Sequence, residues 1–375
     1  MPAAREFQVF VKPAGPRCNL GCRYCYYLDK ASLYPGEAPR MPEELLESYI
    51  AQHIEASPGE VINFSWHGGE PTILGLDYFR RIAEIQRMHK PPDRRIVNGI
   101  QTNGTLLTDE WCRFLAQEGF YVGVSLDGPR EMHDLHRVTR NGKPTFRQAL
   151  RGYSLLKKHH VQTEVLCVVS AQNARFPLQV YRFFKQLGAR FITFLPLVQP
   201  MPGAGGRVSD ATVPPEAWGD FLCAVFDEWV EEDIGRVEVQ VFEEALRTAL
   251  HQEHSLCIFR PTCGDIPVLE HNGDLYPCDH YVEPGRLIGN LRETPLAELL
   301  ESPALRAFGE AKRSLPRQCR TCGFLEMCNG ECPRNRFAST PEGEPGLNYL
   351  CAGYRRFFAH CRPLARQVAE LLNKK

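Results

Sequence analysis

Over roughly the first 200 residues, short runs of β-branched and apolar residues alternate with longer stretches in which apolar positions recur every three or four residues. That alternation predicts parallel strands joined by crossover helices. Six strands are expected, at Gln8–Val11, Val61–Trp66, Ile96–Gln101, Tyr121–Leu126, Thr163–Val169 and Phe191–Leu197. Helices are expected between them near Glu43–Glu55, Tyr78–Met88, Asp109–Glu118, Phe146–His159 and Leu178–Leu187. Thr108 is placed to cap the third helix, with Asp109 and Glu110 set favourably against its dipole. Six such units give an α/β fold, an open partial (β/α)6 barrel, assigned to residues 1–235. Residues 236–375 then form a linker, a cysteine-rich domain and a C-terminal helix.

The unusual residues cluster at the C-terminal ends of these strands. A cysteine-containing segment, CNLGCRYC, follows the first strand, and Gly68-Gly69-Glu70-Pro71 follows the second. Gln101-Thr102-Asn103-Gly104-Thr105 closes the third, Ser125-Leu126-Asp127-Gly128-Pro129 the fourth, and Leu195-Pro196-Leu197-Val198 the sixth. In barrels of parallel strands that rim carries the active site. Taken singly, GGEP and DGP are ordinary turn chemistry; aligned on one rim they point to a shared site.

Composition narrows the classes without choosing among them. The chain has 375 residues, 43% of them hydrophobic and 24% charged, with a net charge of -1, a soluble globular balance with no electrostatic footprint for nucleic acid or an anionic membrane. Neither a signal-like N-terminus nor an apolar run of about 18 residues is found, so the cytoplasm is the expected compartment. There, 15 cysteines argue for metal or catalysis rather than a disulfide framework.

Cys18, Cys22 and Cys25 form a C-x3-C-x2-C clip, one ligand short of a closed four-coordinate site. Structural zinc takes four protein ligands and a ferredoxin-type cluster four thiolates. Three thiolates would leave one iron of a 4Fe-4S cluster open for another ligand. A zinc site completed by a distant histidine, or three unconnected thiols, are the bland alternatives. Further along, Cys319, Cys322, Cys328 and Cys332 give C-x2-C-x5-C-x3-C followed by Pro333, similar to the ferredoxin run whose last cysteine crosses to a second cluster. If it crosses here, Cys351 completes Cys319, Cys322 and Cys328, while Cys257, Cys263 and Cys278 complete Cys332: eight ligands for two clusters. Zinc is again the alternative. Cys112, Cys167, Cys223 and Cys361 sit in apolar segments and read as buried thiols.

With Tyr24 between its last two cysteines, the clip resembles the signature of radical S-adenosylmethionine (SAM) enzymes. The stretches VKPAGPRCNLGCRYCYY, GGEPTILG, IQTNGTLL, VSLDGP, HDLHR, NGDLYPCDHY and NYLC extend the likeness over essentially the whole chain: it resembles the anaerobic sulfatase-maturating enzymes, radical SAM proteins with a SPASM-type auxiliary-cluster domain. The resemblance implies SAM and three 4Fe-4S clusters as cofactors. It further implies oxidation of a cysteine or serine in a sulfatase Cys/Ser-x-Pro-x-Arg motif to Cα-formylglycine. By that resemblance Cys18, Cys22 and Cys25 hold the SAM cluster, and Tyr24, Gly69, Ser125, Arg137 and Val198 line SAM. It likewise assigns Cys257, Cys263, Cys278 and Cys332 to one auxiliary cluster, and Cys319, Cys322, Cys328 and Cys351 to the other.

The implied reaction is reductive SAM cleavage, hydrogen abstraction from the substrate Cβ by a 5′-deoxyadenosyl radical, then loss of a proton and an electron. An electron donor such as ferredoxin or flavodoxin is therefore an expected partner, and nucleic acid and membrane are not. Asp279, beside Cys278, is the candidate base, on the adjacency and on the resemblance alike. Two departures stand out: His67 where a glutamine can occur, and Val198 where a leucine can line SAM. The alternative enzyme is a SPASM maturase that crosslinks a ribosomal peptide; only 17 residues precede Cys18, which is expected to leave no room for a separate peptide-recognition domain. A non-enzymatic electron carrier is the alternative of another class.

Overall fold

Val9 and Val11 are fully buried, and between them Phe10 begins β1 (Phe10–Lys12) in the computed structural model, which describes residues 3–36, 39–201, 203 and 206–372. The strand starts later than the expected Gln8 because the N–H groups of Gln8 and Phe10 are taken by the carbonyls of Asp265 and Pro267, while pairing with the next strand begins at Phe10. There follow α1 (Glu43–Ala56), β2 (Val61–Trp66), α2 (Leu76–His89), β3 (Arg95–Thr102), α3 (Asp109–Gln117) and β4 (Tyr121–Ser125). Next come α4 (Arg130–His136), α5 (Phe146–Lys158), β5 (Gln162–Val169), α6 (Pro177–Gln186) and β6 (Phe191–Pro196). The expected strands and helices are all present, with α4 as an addition. Thr108 caps α3, its side chain accepting from the N–H of Trp111.

Beyond β6 lie α7 (Pro215–Glu228), β7 (Glu238–Val239), α8 (Gln240–Ala249), β8 (Val268–Glu270), β9 (Asp274–Tyr276) and β10 (Gly289–Asn290). The C-terminal part contains α9 (Leu296–Leu300), α10 (Pro303–Ala311), α11 (Arg317–Arg320), α12 (Leu325–Cys328), β11 (Ala338–Ser339), β12 (Pro345–Leu347) and α13 (Cys351–Leu372). The chain divides into two compact units. One contains the residues up to 125, 134–163 and 264–309; the other contains 126–133, 164–263 and 310 onward.

In the first unit β1, β2, β3 and β4 pair in parallel. The other edge of β1 pairs in parallel with β8, matching Phe10 to Val268 and Lys12 to Glu270. From there β8, β9 and β10 continue as an antiparallel meander, so the sheet is mixed and open. Its core is aromatic: Phe64 stacks on Trp66, which meets Phe79 edge-on, and Phe79 in turn meets Trp111 and Phe120. In the second unit β5, β6 and β7 are parallel, and α7 packs closely against α13. The two helices touch backbone to backbone, since a Cβ on Gly353 would lie 2.1 Å from the Pro215 carbonyl oxygen.

Candidate functional site

The clip is shaped by hydrogen bonds that its own side chains do not supply. The Gly21 and Arg23 N–H groups donate to the carbonyls of Val138 and His136, and the Arg140 guanidinium holds the Cys18 carbonyl at 2.8 Å. Gly69 fits because nothing larger can: a Cβ there would stand 2.2 Å from the Arg17 carbonyl oxygen, while the N–H groups of Gly69 and Glu70 bond to Gly15 and Arg17. The fully buried Glu70 ties three loops together. Its carboxylate accepts from the Thr72 hydroxyl and N–H, the Thr102 hydroxyl and the Asn103 N–H. Asn103 then donates to Asn19 at 2.9 Å, beside Cys18.

Cys18, Cys22 and Cys25 lie within electrostatic reach of one another. Burial pushes the Cys18 thiol up to about 12, and Glu70 and the other two cysteines add to the rise. Bare thiolates at that spot are unfavourable, and a cationic iron centre removes the penalty by taking them as ligands. Tyr24 is buried with its ring 5.4 Å beneath the Arg137 guanidinium and 5.4 Å from His136. Ser125 accepts from the Gln101 side chain at 3.1 Å. Val198 follows β6 in the second unit and is buried there.

Asp279 lies in the first unit with the clip. The Tyr26 hydroxyl, one residue past Cys25, donates to its Oδ2 at 2.6 Å, and the Lys12 ammonium stands 3.5 Å from the same oxygen. Burial alone would raise its pKa, but Lys12, His280, the Tyr26 hydrogen bond and His67 outweigh it and hold the carboxyl well below the usual range. The group is therefore an anion with one fixed donor and one fixed counter-charge. Lys12, 3% exposed, also lies 4.5 Å from the Tyr27 ring, while the Tyr27 hydroxyl donates to the buried Glu270. His67 stacks on Phe10 at 4.0 Å, and its imidazole is kept neutral, with a pKa lowered to about 3 by burial and then by Lys12.

The remaining cysteines fall into two groups in the second unit. Cys257, Cys263 and Cys332 surround the Lys312 ammonium, which donates to the carbonyls of Cys257 and Ile258 at 2.7 and 2.8 Å. Cys319, Cys322, Cys328 and Cys351 form the other group, and burial pushes the thiols of Cys328 and Cys351 up to about 12 and about 11. Cys278 is in the first unit, its Sγ 3.7 Å from the carboxylate of Asp279. All fifteen cysteines are unpaired, and Cys112, Cys167, Cys223 and Cys361 are buried. Crowded, unpaired, desolvated thiols are the donor set that iron–sulfur clusters take. The acidic trio Glu228, Glu232 and Asp233 is a different case, since Lys185 already sits 2.6 to 3.3 Å from all three.

Several of these residues escape a reading of the sequence. Lys12 reads as a solvated end of a strand, yet a lone cation immediately before a cysteine clip is a signal. Tyr26, Tyr27, Glu70 and Lys312 act through partners distant in the chain, to which no local pattern points.

Two family descriptions match: the radical SAM superfamily over residues 13–172, and an iron-sulfur cluster-binding domain, SPASM, over residues 257–323. The serine-type anaerobic sulfatase-maturating enzyme of Bacteroides thetaiotaomicron is 44% identical over 391 aligned positions, spanning 100% of this chain and 94% of that protein. The cysteine-type enzyme of Clostridium perfringens is 34% identical, covering 96% of this chain and 98% of its own. A solved structure of native anSMEcpe with bound AdoMet and Cp18Cys peptide superposes with a TM-score of 0.89 at 33% identity, over 98% of this chain and 100% of that one. Full-length likeness of this order, joined to a three-thiol clip and crowded C-terminal thiols, means that the chain belongs to the anaerobic sulfatase-maturating enzymes, radical SAM proteins that carry three 4Fe-4S clusters.

Proposed function

We infer that this enzyme oxidises a serine or cysteine side chain in a Cys/Ser-x-Pro-x-Arg segment of a sulfatase polypeptide to Cα-formylglycine, with Asp279 as the proton acceptor. The observation that supports this reading most directly is the 2.6 Å bond from Tyr26 to Asp279, which ties the carboxylate to the residue after the last clip cysteine. When bound, the cluster and SAM supply one-electron reduction and a hydrogen-abstracting radical. The chain's own residues do the rest. Cys18, Cys22 and Cys25 are the ligands that leave one iron open, and Gly69, Tyr24, Arg137, Ser125 and Val198 shape the SAM pocket.

Asp279 then takes the proton from the substrate hydroxyl or thiol as the double bond forms. Its pKa, held low by Lys12 and Tyr26, guarantees that it is ionised when substrate arrives; its proton donor is a substrate radical, and a carbon radical centre acidifies an attached hydroxyl or thiol. We assign Cys257, Cys263, Cys278 and Cys332 to one auxiliary cluster on the ligand arithmetic, and Cys319, Cys322, Cys328 and Cys351 to the other. Residues 1–235 accordingly serve SAM chemistry and 236–375 the auxiliary clusters. A small electron-transfer protein such as ferredoxin or flavodoxin exchanges electrons with the enzyme. Among the described residues no helix is long and apolar enough to cross a membrane, and unpaired cysteines suit the reducing cytoplasm.

Anaerobic incubation of a synthetic Cys-x-Pro-x-Arg peptide, and of its serine counterpart, with SAM and reductant tests the activity. Mass spectrometry should show loss of the thiol or two hydrogens from the target residue, with 5′-deoxyadenosine formed alongside. A crosslinked peptide instead would favour the peptide-maturase alternative.

A further inference from the structure

We propose that an arginine-rich face around Cys319, Cys322, Cys328 and Cys351 is the docking site for an acidic one-electron carrier protein. The inference rests on the reading that these four cysteines hold a cluster. Helix α11 carries Cys319 between Arg317 and Arg320, both exposed. On α13, Cys351, Arg355, Arg362 and Arg366 are spaced so that they share one side of the helix, within an arc of about 60°. Arg362 joins the two segments: its guanidinium lies 4.5 Å over the Phe324 ring and donates to the carbonyl of Gly323, the residue after Cys322, at 3.3 Å. The charge of Arg355 also bears on Cys351 directly.

None of Arg317, Arg320, Arg355, Arg362 and Arg366 makes an ion pair among the described residues, whereas the flanking Arg313 and Arg356 are satisfied by Glu310 and Asp220. The acidic groups nearby do not balance them. Glu331 is buried among Asn335 and Asn348, the Glu344 carboxylate is occupied by the Arg317 N–H at 2.7 Å, and Glu326 remains exposed. A protein of net charge -1 thus concentrates positive potential where a cluster comes nearest to solvent. Charge of this kind steers an oppositely charged protein to a defined orientation.

The chemistry requires such a visitor. As the substrate radical forms its C=O or C=S double bond, one proton and one electron leave; the proton goes to Asp279 and the electron to the oxidised carrier. The reduced carrier supplies the single electron that SAM cleavage consumes. An iron–sulfur or flavin protein with an acidic surface meets both needs, one electron at a time.

The test uses holoenzyme, with turnover driven either by reduced bacterial flavodoxin or by dithionite. Combined Arg317→Glu, Arg320→Glu and Arg355→Glu substitution should lower flavodoxin-supported turnover by about tenfold or more at low salt and flatten its salt dependence, within the range of electrostatic steering. Dithionite-supported turnover and iron content should stay at the wild-type level. Wild-type rate and salt slope in the variant would overturn the proposal. So would an equal loss with both reductants that persists in the milder Arg→Gln set, since the arginines would then be structural. Failure of both flavodoxin and a two-cluster ferredoxin to drive the wild type would overturn it too. Unchanged iron in Cys319→Ala would instead show that the cluster reading fails, and the docking proposal with it.

Discussion

A lysine and an aspartate facing each other in a desolvated pocket are stable only as a pair, because removing one partner leaves the other's charge without compensation. For Lys12 and Asp279 this separates two substitutions that look alike. Asp279→Asn keeps size and an acceptor for Tyr26 but cannot take a proton, and a positioned base contributes about 10² to 10⁴ in rate. The variant is expected to hold its iron and form 5′-deoxyadenosine while formylglycine falls at least about tenfold; quantifying both products in one reaction decides it, and an unchanged ratio would remove Asp279 from the role. His53 offers a cleaner titration. Its buried ring stacks on Phe64 at 4.4 Å and contacts the Tyr49 hydroxyl and the Asn63 carbonyl, and burial lowers its pKa from 6.5 to about 3. The unfolded imidazole binds a proton below the higher value and the folded one does not, so the stability this group confers is complete above pH 6.5 and is lost as pH falls toward 3. Urea unfolding across that window should show a shallower pH slope in His53→Phe than in wild type, whatever the absolute stability. At this scale Asp279 was legible because it adjoins a cysteine, whereas the burial of Lys12 depends on residues 268–270 pairing beside it.

Helix and strand positions were readable wherever a period ran long enough, and β2 and α1 begin where their patterns do. The strands β8 and β9 were not, because VLE and DLY are too short for a period to register; their signal is the Asn272-Gly273 turn between them, a hairpin marker. Glycine contacts between elements are equally silent in sequence. Gly219 and Gly353 let α7 and α13 meet without side chains between them, and a Cβ on Gly219 would lie 2.8 Å from the Gly353 carbonyl. Gly353→Ala should therefore cost about 1–3 kcal/mol, the usual range for overpacking. Because α13 begins with Cys351, the same shift should reduce iron retention selectively in the C-terminal group. Denaturation and iron analysis of one preparation measure both effects, and wild-type values for stability would show that the helices can part freely.

Across the molecule, three separate thiol sets imply separable iron pools of about four each, about twelve in all. Replacing Cys18, Cys22 and Cys25 together by alanine is expected to remove about four irons and all SAM cleavage while the auxiliary pools persist; SAM cleavage at the normal rate would relocate the SAM site. The likeness over the full chain made the class and cofactors legible, whereas the polar contacts that brace each thiol set join residues far apart in sequence and no local period encodes them. The register of β1 has its own consequence. One edge of β1 pairs with β2 and the other with β8, so partners about 260 residues apart must meet, a separation that makes closure slow. During synthesis the clip and its first neighbours emerge early, yet the strand that delivers Cys278 and Asp279 leaves the ribosome only after most of the chain. Until then β1 has an open edge, and the clip is ready for iron before the proton acceptor is in place, so the order of maturation is written into the order of translation.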